Sequence, residues 1–139
     1  MPFRIDIGDP KSKKTFHLES ASEAFVGKKL GDKIEGKIIK EFSDLGDYEF
    51  IVTGASDNAG FPAVNELDGA IRKRLLLTRG HSMNIKKPQG LRLRRLVRGN
   101  TIAEDIAQIN LKVSKEGSKP LTEIFKKEEK AAEKVEEKK

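Results

Sequence analysis

Phe3, Ile5 and Ile7 alternate with Arg4 and Asp6, the period-two pattern of a half-buried strand. Gly8-Asp9-Pro10 breaks it with turn chemistry, and residues 15–18 form a short second strand candidate after a lysine-rich turn. Residues 26–32 (VGKKLGD) predict a tight glycine-bearing loop. Residues 34–42 (IEGKIIKEF) follow as a strand weakened or bulged at Gly36. After a turn at 43–47, residues 48–53 (YEFIVT) carry the clearest strand signal, with β-branched and aromatic side chains throughout.

From Gly54 to Gly69 the chain is loop-like, with three glycines, Pro62 and several Asn and Asp residues. Residues 71–78 fit a strand or a short helix, because Leu75-Leu76-Leu77 gives no clear period. Leu91-Arg92-Leu93-Arg94 alternates strictly, which puts leucines on one face and arginines on the other. In residues 106–113 (IAQINLKV), Ile109, Leu111 and Val113 share a face. Beyond Pro120, which suits a first helical turn, come strong helix formers, with Leu121, Ile124 and Phe125 as an apolar stripe. That stripe ends at Phe125, so the expectation is docking there and a frayed, solvated helix beyond. Two similar lead-ins, Gly31-Asp32-Lys33-Ile34 and Gly99-Asn100-Thr101-Ile102, suggest related ββ units closing a barrel. The pattern thus predicts a mainly β fold, with residues 1–118 as one domain and 119–139 as a charged helical, partly disordered tail.

Composition narrows what such a fold does. The chain has 139 residues, 36% apolar and 36% charged, with a net charge of +6 and a pI near 9.5. A basic chain favours polyanionic partners. With no cysteine, disulfides, thiolate catalysis and Cys-type zinc sites are excluded. No apolar run has the length of a signal peptide or a membrane span, which predicts a cytosolic protein without a membrane partner.

The charge is local. Arg72, Lys73, Arg74, Arg79, Lys86, Lys87, Arg92, Arg94, Arg95 and Arg98 fall in one stretch that contains no Asp or Glu. The remaining 18 basic residues face 22 acids, so the rest of the chain is net −4. A solvated charged face is the ordinary fate of a charge run, but such a face interleaves acids, and here there are none. Dense like charges repel one another unless a polyanion neutralises them. Arginine also suits bidentate contacts to phosphate. The stretch therefore predicts nucleic-acid docking. Without an aromatic between Phe61 and Phe125 the base-stacking platform of single-strand binders is missing, which favours folded RNA read by backbone and shape.

Other candidates are weaker. TGASDNAGFP (53–62) lacks the lysine and spacing of a phosphate-binding loop, and fits a structural turn. In that turn Gly54 and Gly60 would take unusual backbone angles and Asp57 or Asn58 would cap it. His17 and His81 have no metal-ligand spacing; His81 is a candidate RNA contact rather than a catalytic base. Loop acids Asp57, Glu66 and Asp68 are candidate solvated or capping groups before they are a Mg²⁺ site. No catalytic residue, metal or cofactor is predicted.

GASDNAGFP, RKRLLLTRGHS, KKPQGLRLRRLVRGN and IAEDIAQINLKVSKEG, in that order, resemble the ribosomal protein S6e family of the archaeal and eukaryotic small subunit. The likeness reaches back through LGDYEFIVTG, VGKKLGDKIEG, KTF and GDP, and so covers about residues 1–120. It implies a β-barrel-like domain that binds ribosomal RNA as a structural constituent of the small ribosomal subunit, beside neighbouring ribosomal proteins. A free-standing RNA- or DNA-binding regulator is the alternative. Ala55 stands where the family's loop has a second glycine, and Met83, Asn84 and Ile85 stand where it is richer in aromatic and basic residues. The tail has no serine after Ser118, so the phosphorylated extension of eukaryotic members does not carry over; the likeness is to a short archaeal type. The expected RNA-binding residues are the ten cations above together with His81.

Overall fold

The computed structural model describes residues 2–39, 43–78, 83 and 89–126. Its strands are β1 (Phe3–Asp9), β2 (Lys14–Ser20), β3 (Lys33–Glu35), β4 (Glu49–Asp57), β5 (Arg72–Leu77), β6 (Leu93–Arg98) and β7 (Ile106–Lys115). Five of them form a sheet in the order β2-β1-β7-β4-β3, and β5 and β6 form a separate two-stranded ladder. The β1–β7 pair is parallel and the others are antiparallel. The fold is mainly β, as the period-two pattern predicts. The sheets are not closed into a barrel. Instead, isolated bridges such as Ser56 to Pro62 and Ala63 to Arg98 link the large sheet to the small one.

One face of the large sheet is apolar. Phe3, Ile5 and Ile7 of β1, Phe50 and Val52 of β4, and Ile109, Leu111 and Val113 of β7 are all buried there. The short helix α1 (121–126) closes part of this core: Leu121 and Ile124 are buried, and the Phe125 ring stacks on Phe16 with centroids 4.7 Å apart. The Tyr48 hydroxyl donates to the Lys119 carbonyl just before α1. The docking expected near Phe125 is present, and the start of the helix belongs to the main core. The tail beyond residue 126 lies outside the described residues.

Two expectations are corrected. The strand expected over 34–42 stops at Glu35, and Gly36–Ile38 forms a 3-10 turn. Gly36 sits so close to the Leu45 carbonyl that any Cβ there would collide with it, so the backbone turns to pack rather than continuing the ladder. The strand expected over 48–53, by contrast, runs on as β4 through Gly54 to Asp57, four residues into the expected loop. Its ladder with β7 shifts register between Val52 and Gly54 and again between Ser56 and Asp57. Such irregularities bend and twist a strand, and a further one lies between Glu49 and Phe50.

Of the two similar lead-ins, Gly99-Asn100-Thr101-Ile102 lies against the loop just before the other, while Gly31 N–H donates to Val52 O and Val52 N–H to Asp32 O. Gly27 N–H donates to Ile102 O at 2.9 Å, Ile102 N–H to Lys28 O at 2.8 Å and Leu30 N–H to Asn100 O at 3.0 Å. Gly27 and Gly31 have φ of 86° and 89°, which lets the first loop follow this path.

Candidate nucleic-acid interface

The ambiguous leucine run resolves as strand β5, and its register with β6 sorts the cations onto two faces. Arg72 pairs with Arg98, Arg74 with Leu96 and Leu76 with Arg94 on one face. Lys73 pairs with Val97, Leu75 with Arg95 and Leu77 with Leu93 on the other. Leu77 and Val97 of this second face are buried with Val64 and Met83, and Leu67, Leu75 and Leu93 pack against them. This small separate core holds the β5–β6 ladder. Leu76 and Ile71, by contrast, are 54% and 56% exposed.

Lys73, Arg74, Arg94 and Arg95 are exposed on the two strands, and Arg92 is exposed just before β6. Arginine side chains thus project from both faces of a ladder whose leucines fix its backbone. Arg79, His81, Lys86 and Lys87 lie outside the described residues.

Arg98 departs from its expected role. It is 1% exposed, and its guanidinium is consumed internally. Nη1 donates to Asp57 Oδ2 at 3.0 Å, and both Nη1 and Nη2 donate to the Asp105 carboxylate. A guanidinium so enclosed cannot reach a phosphate; it is a structural ion pair at the root of β6. Its Nε has no partner among the described residues.

Asp57 is the second member of this root. Its side chain is fully buried and also accepts from Arg72 Nε at 2.6 Å. Arg72 remains 41% exposed and lies over the Phe61 ring, 5.7 Å from its centroid. Burial pushes the Asp57 carboxyl up, but hydrogen bonds from Arg72, the Ala59 N–H and Arg98 outweigh it and hold the group down at about 2. Sequence reasoning placed Asp57 in a turn but missed it as an ion-pair hub. Asp57 and Asp105 are acids on either side of the basic stretch, and that placement was the available signal.

The turn after β4 is architectural. Asp57 Oδ1 caps it by accepting from Ala59 N–H at 3.2 Å, and Gly60 has φ of 85°. Asp57, Asn58 and Gly60 donate their N–H groups to the carbonyls of Phe61, Asp105 and Asp57. All four N–H groups from 57 to 60 are therefore spent within the chain, leaving no backbone nest for a phosphate. Gly54, expected in an unusual conformation, sits in extended strand β4.

Of the remaining loop acids, Glu66 is exposed and Asp68 has a side-chain partner. Asp68 accepts from Asn100 Nδ2 at 2.9 Å. His17 Nδ1 lies 2.6 Å from Asp6 Oδ1 on the large sheet. Among the described residues no cluster of His, Cys, Asp or Glu is positioned to hold a metal ion. Nor is any described helix long and apolar enough to cross a membrane.

The chain is thus a mainly β domain that holds arginines out from both faces of a two-stranded ladder, with that ladder rooted by buried ion pairs. Residues 3–126 match the ribosomal protein S6e family, and the chain belongs to that family. It is 44% identical over 133 residues to the small ribosomal subunit protein eS6 of Archaeoglobus fulgidus, covering 93% of this chain and 99% of that protein. To the protein of the same name from Methanococcus maripaludis it is 42% identical over 121 residues, covering 87% and 94%. To that of Methanocaldococcus jannaschii it is 38% identical over 119 residues, covering 86% and 87%.

Proposed function

We propose that this chain is a structural constituent of the small ribosomal subunit, without catalytic activity, that docks on ribosomal RNA through the exposed cations of β5 and β6. One observation carries the docking surface: Lys73, Arg74, Arg94 and Arg95 all emerge from a single ladder held by its own apolar core. Arg92 extends the surface, and Arg72 joins it with the exposed part of its side chain. Arg79, His81, Lys86 and Lys87 belong to the same unbroken basic stretch and are assigned to the interface by that continuity. Arg98 is removed from it.

The placement on the subunit follows from the relatives, which are named as small-subunit proteins over nearly their whole length. It implies ribosomal RNA and neighbouring ribosomal proteins as partners, and the ribosome in the cytoplasm as location. We assign residues 1–118 with the docked start of α1 to one folding unit, whose bent β4 and inter-sheet bridges support a barrel-like description.

Co-sedimentation tests this reading. Purified chain added to small subunits depleted of it should remain bound through a high-salt wash that strips loosely held proteins. A free-standing RNA- or DNA-binding regulator would wash off.

A further inference from the structure

The polar face of the large sheet carries a second feature. The register sets Glu19 of β2 against Arg4 of β1, Arg4 against Gln108 of β7, and Gln108 against Ser56 of β4. Paired residues share a face, so these four side chains form a row across four strands, on the side away from buried Phe3 and Ile5. Where the row ends, β4 turns at Asp57 and Asn58, and the row and the turn together line a cavity of about 360 Å³. Among the described residues no hydrogen bond or ion pair occupies the side chains of Arg4, Glu19, Ser56 or Asn58. Asp57, which anchors Arg72 and Arg98, also lines the cavity, so it opens beside the root of the basic ladder.

The chemistry of the lining selects among ligands. A phosphate would meet the Glu19 carboxylate, and a metal ion would meet the Arg4 guanidinium. A neutral planar group carrying both donors and acceptors satisfies both. Guanine has that complement: N1–H and N2–H donate to a carboxylate, while O6 and N7 accept from a guanidinium. Asn58 and Ser56 supply either role, and the volume falls in the range of pockets that enclose small ligands. Sequence-specific RNA recognition commonly takes unpaired bases by their edges.

We propose that this cavity receives an unpaired guanine of the RNA whose backbone the β5–β6 ladder holds; the assignment rests on the RNA-docking reading above. It adds base-edge recognition to a basic stretch that carries no Phe, Tyr or Trp of its own. Glu19 then attracts RNA, although it is an acid beside a polyanion.

The sign of the Glu19 effect decides the matter. Full-length chain is titrated with a transcript of archaeal small-subunit ribosomal RNA over a series of salt concentrations. Glu19→Gln and, separately, Asn58→Ala are each expected to weaken binding about five-fold or more, with the slope of log K against log[salt] unchanged because no phosphate contact is lost. Both side chains are exposed, so both variants should fold. If Glu19 is merely a solvated acid, Glu19→Gln will bind equally or more tightly, and that result overturns the proposal. In the wild-type chain, guanosine 5′-monophosphate should shift the side-chain amide resonances of Asn58 and Gln108, whereas uridine 5′-monophosphate and inorganic phosphate should not. Equal shifts with all three, or none with any, reject a guanine site. Failure of the wild-type chain to bind the transcript would sink the docking reading instead, and the mononucleotide titration would still judge the cavity.

Discussion

Arg98 and Asp57 form an ion pair at 3.0 Å with 1% and 0% of their side chains exposed. The pair joins the end of β6 to the end of β4, and through them the basic ladder to the large sheet. The last cation of the basic stretch is thus spent on holding that stretch in place.

Removing one partner of a buried pair leaves the other charge uncompensated, at a cost of about 3–5 kcal/mol. Arg98→Ala should lower stability by about that much in urea denaturation. Its RNA affinity, corrected for the folded fraction, should fall far less than that of Arg94→Ala. Stability equal to wild type would show that the pair does not anchor the ladder.

The same carboxylate makes the fold acid-sensitive. Asp57 titrates at about 2 when folded, against an ordinary value of 3.8. The unfolded chain therefore takes up the proton first, and the contribution of Asp57 is complete above about pH 5 and lost as pH falls through 4 towards 2. The loss should be on the order of 1–2 kcal/mol, reduced by solvent around the exposed part of Arg72. Asp57→Asn should be less stable at neutral pH and should flatten this part of the profile. Parallel profiles for the two proteins in urea melts between pH 6 and pH 2 would remove Asp57 from the account.

Gly99 follows β6 where the chain passes the 65–69 loop. A Cβ there would collide with the Gly69 carbonyl, which is backbone and cannot rotate away. Gly99→Ala should cost about 1–3 kcal/mol by forcing the two segments apart. Gly90, at φ 77° with open space around its Cβ position, should lose less on substitution, through backbone strain alone. Thermal melts of the two variants side by side check the order.

Each exposed arginine that meets a phosphate contributes about one unit to the salt dependence of binding. Arg74→Ala and Arg94→Ala should each weaken binding to small-subunit ribosomal RNA and make the slope of log K against log[salt] shallower by about that amount. An unchanged slope in both would mean that these side chains point away from the RNA.

Strands β1, β2, β4 and β7 were legible because one side of the sheet is buried and the other wet, which writes a period of two into the residues. Leu75-Leu76-Leu77 hid its period because both faces of that strand carry leucine: Leu77 enters the small core while Leu76 stays exposed. The stop at Gly36 was not legible, since it depends on the Leu45 carbonyl arriving nine residues later. Nor was the role of Arg98. One of its acids lies 41 residues before it, and only the meeting of β4 with β6 brings them together. The basic stretch was legible as a charge pattern, but which of its cations stay exposed was decided by tertiary packing.

The central claim is that the exposed cations of the ladder, and not the buried one, dock this chain on ribosomal RNA. The most direct test is assembly of a variant carrying Arg74→Glu, Arg92→Glu, Arg94→Glu and Arg95→Glu into small subunits depleted of the native protein. Circular dichroism should show the variant folded, and it should be missing from subunits recovered after a high-salt wash that retains wild type. Retention of the folded variant at the wild-type level would contradict the account.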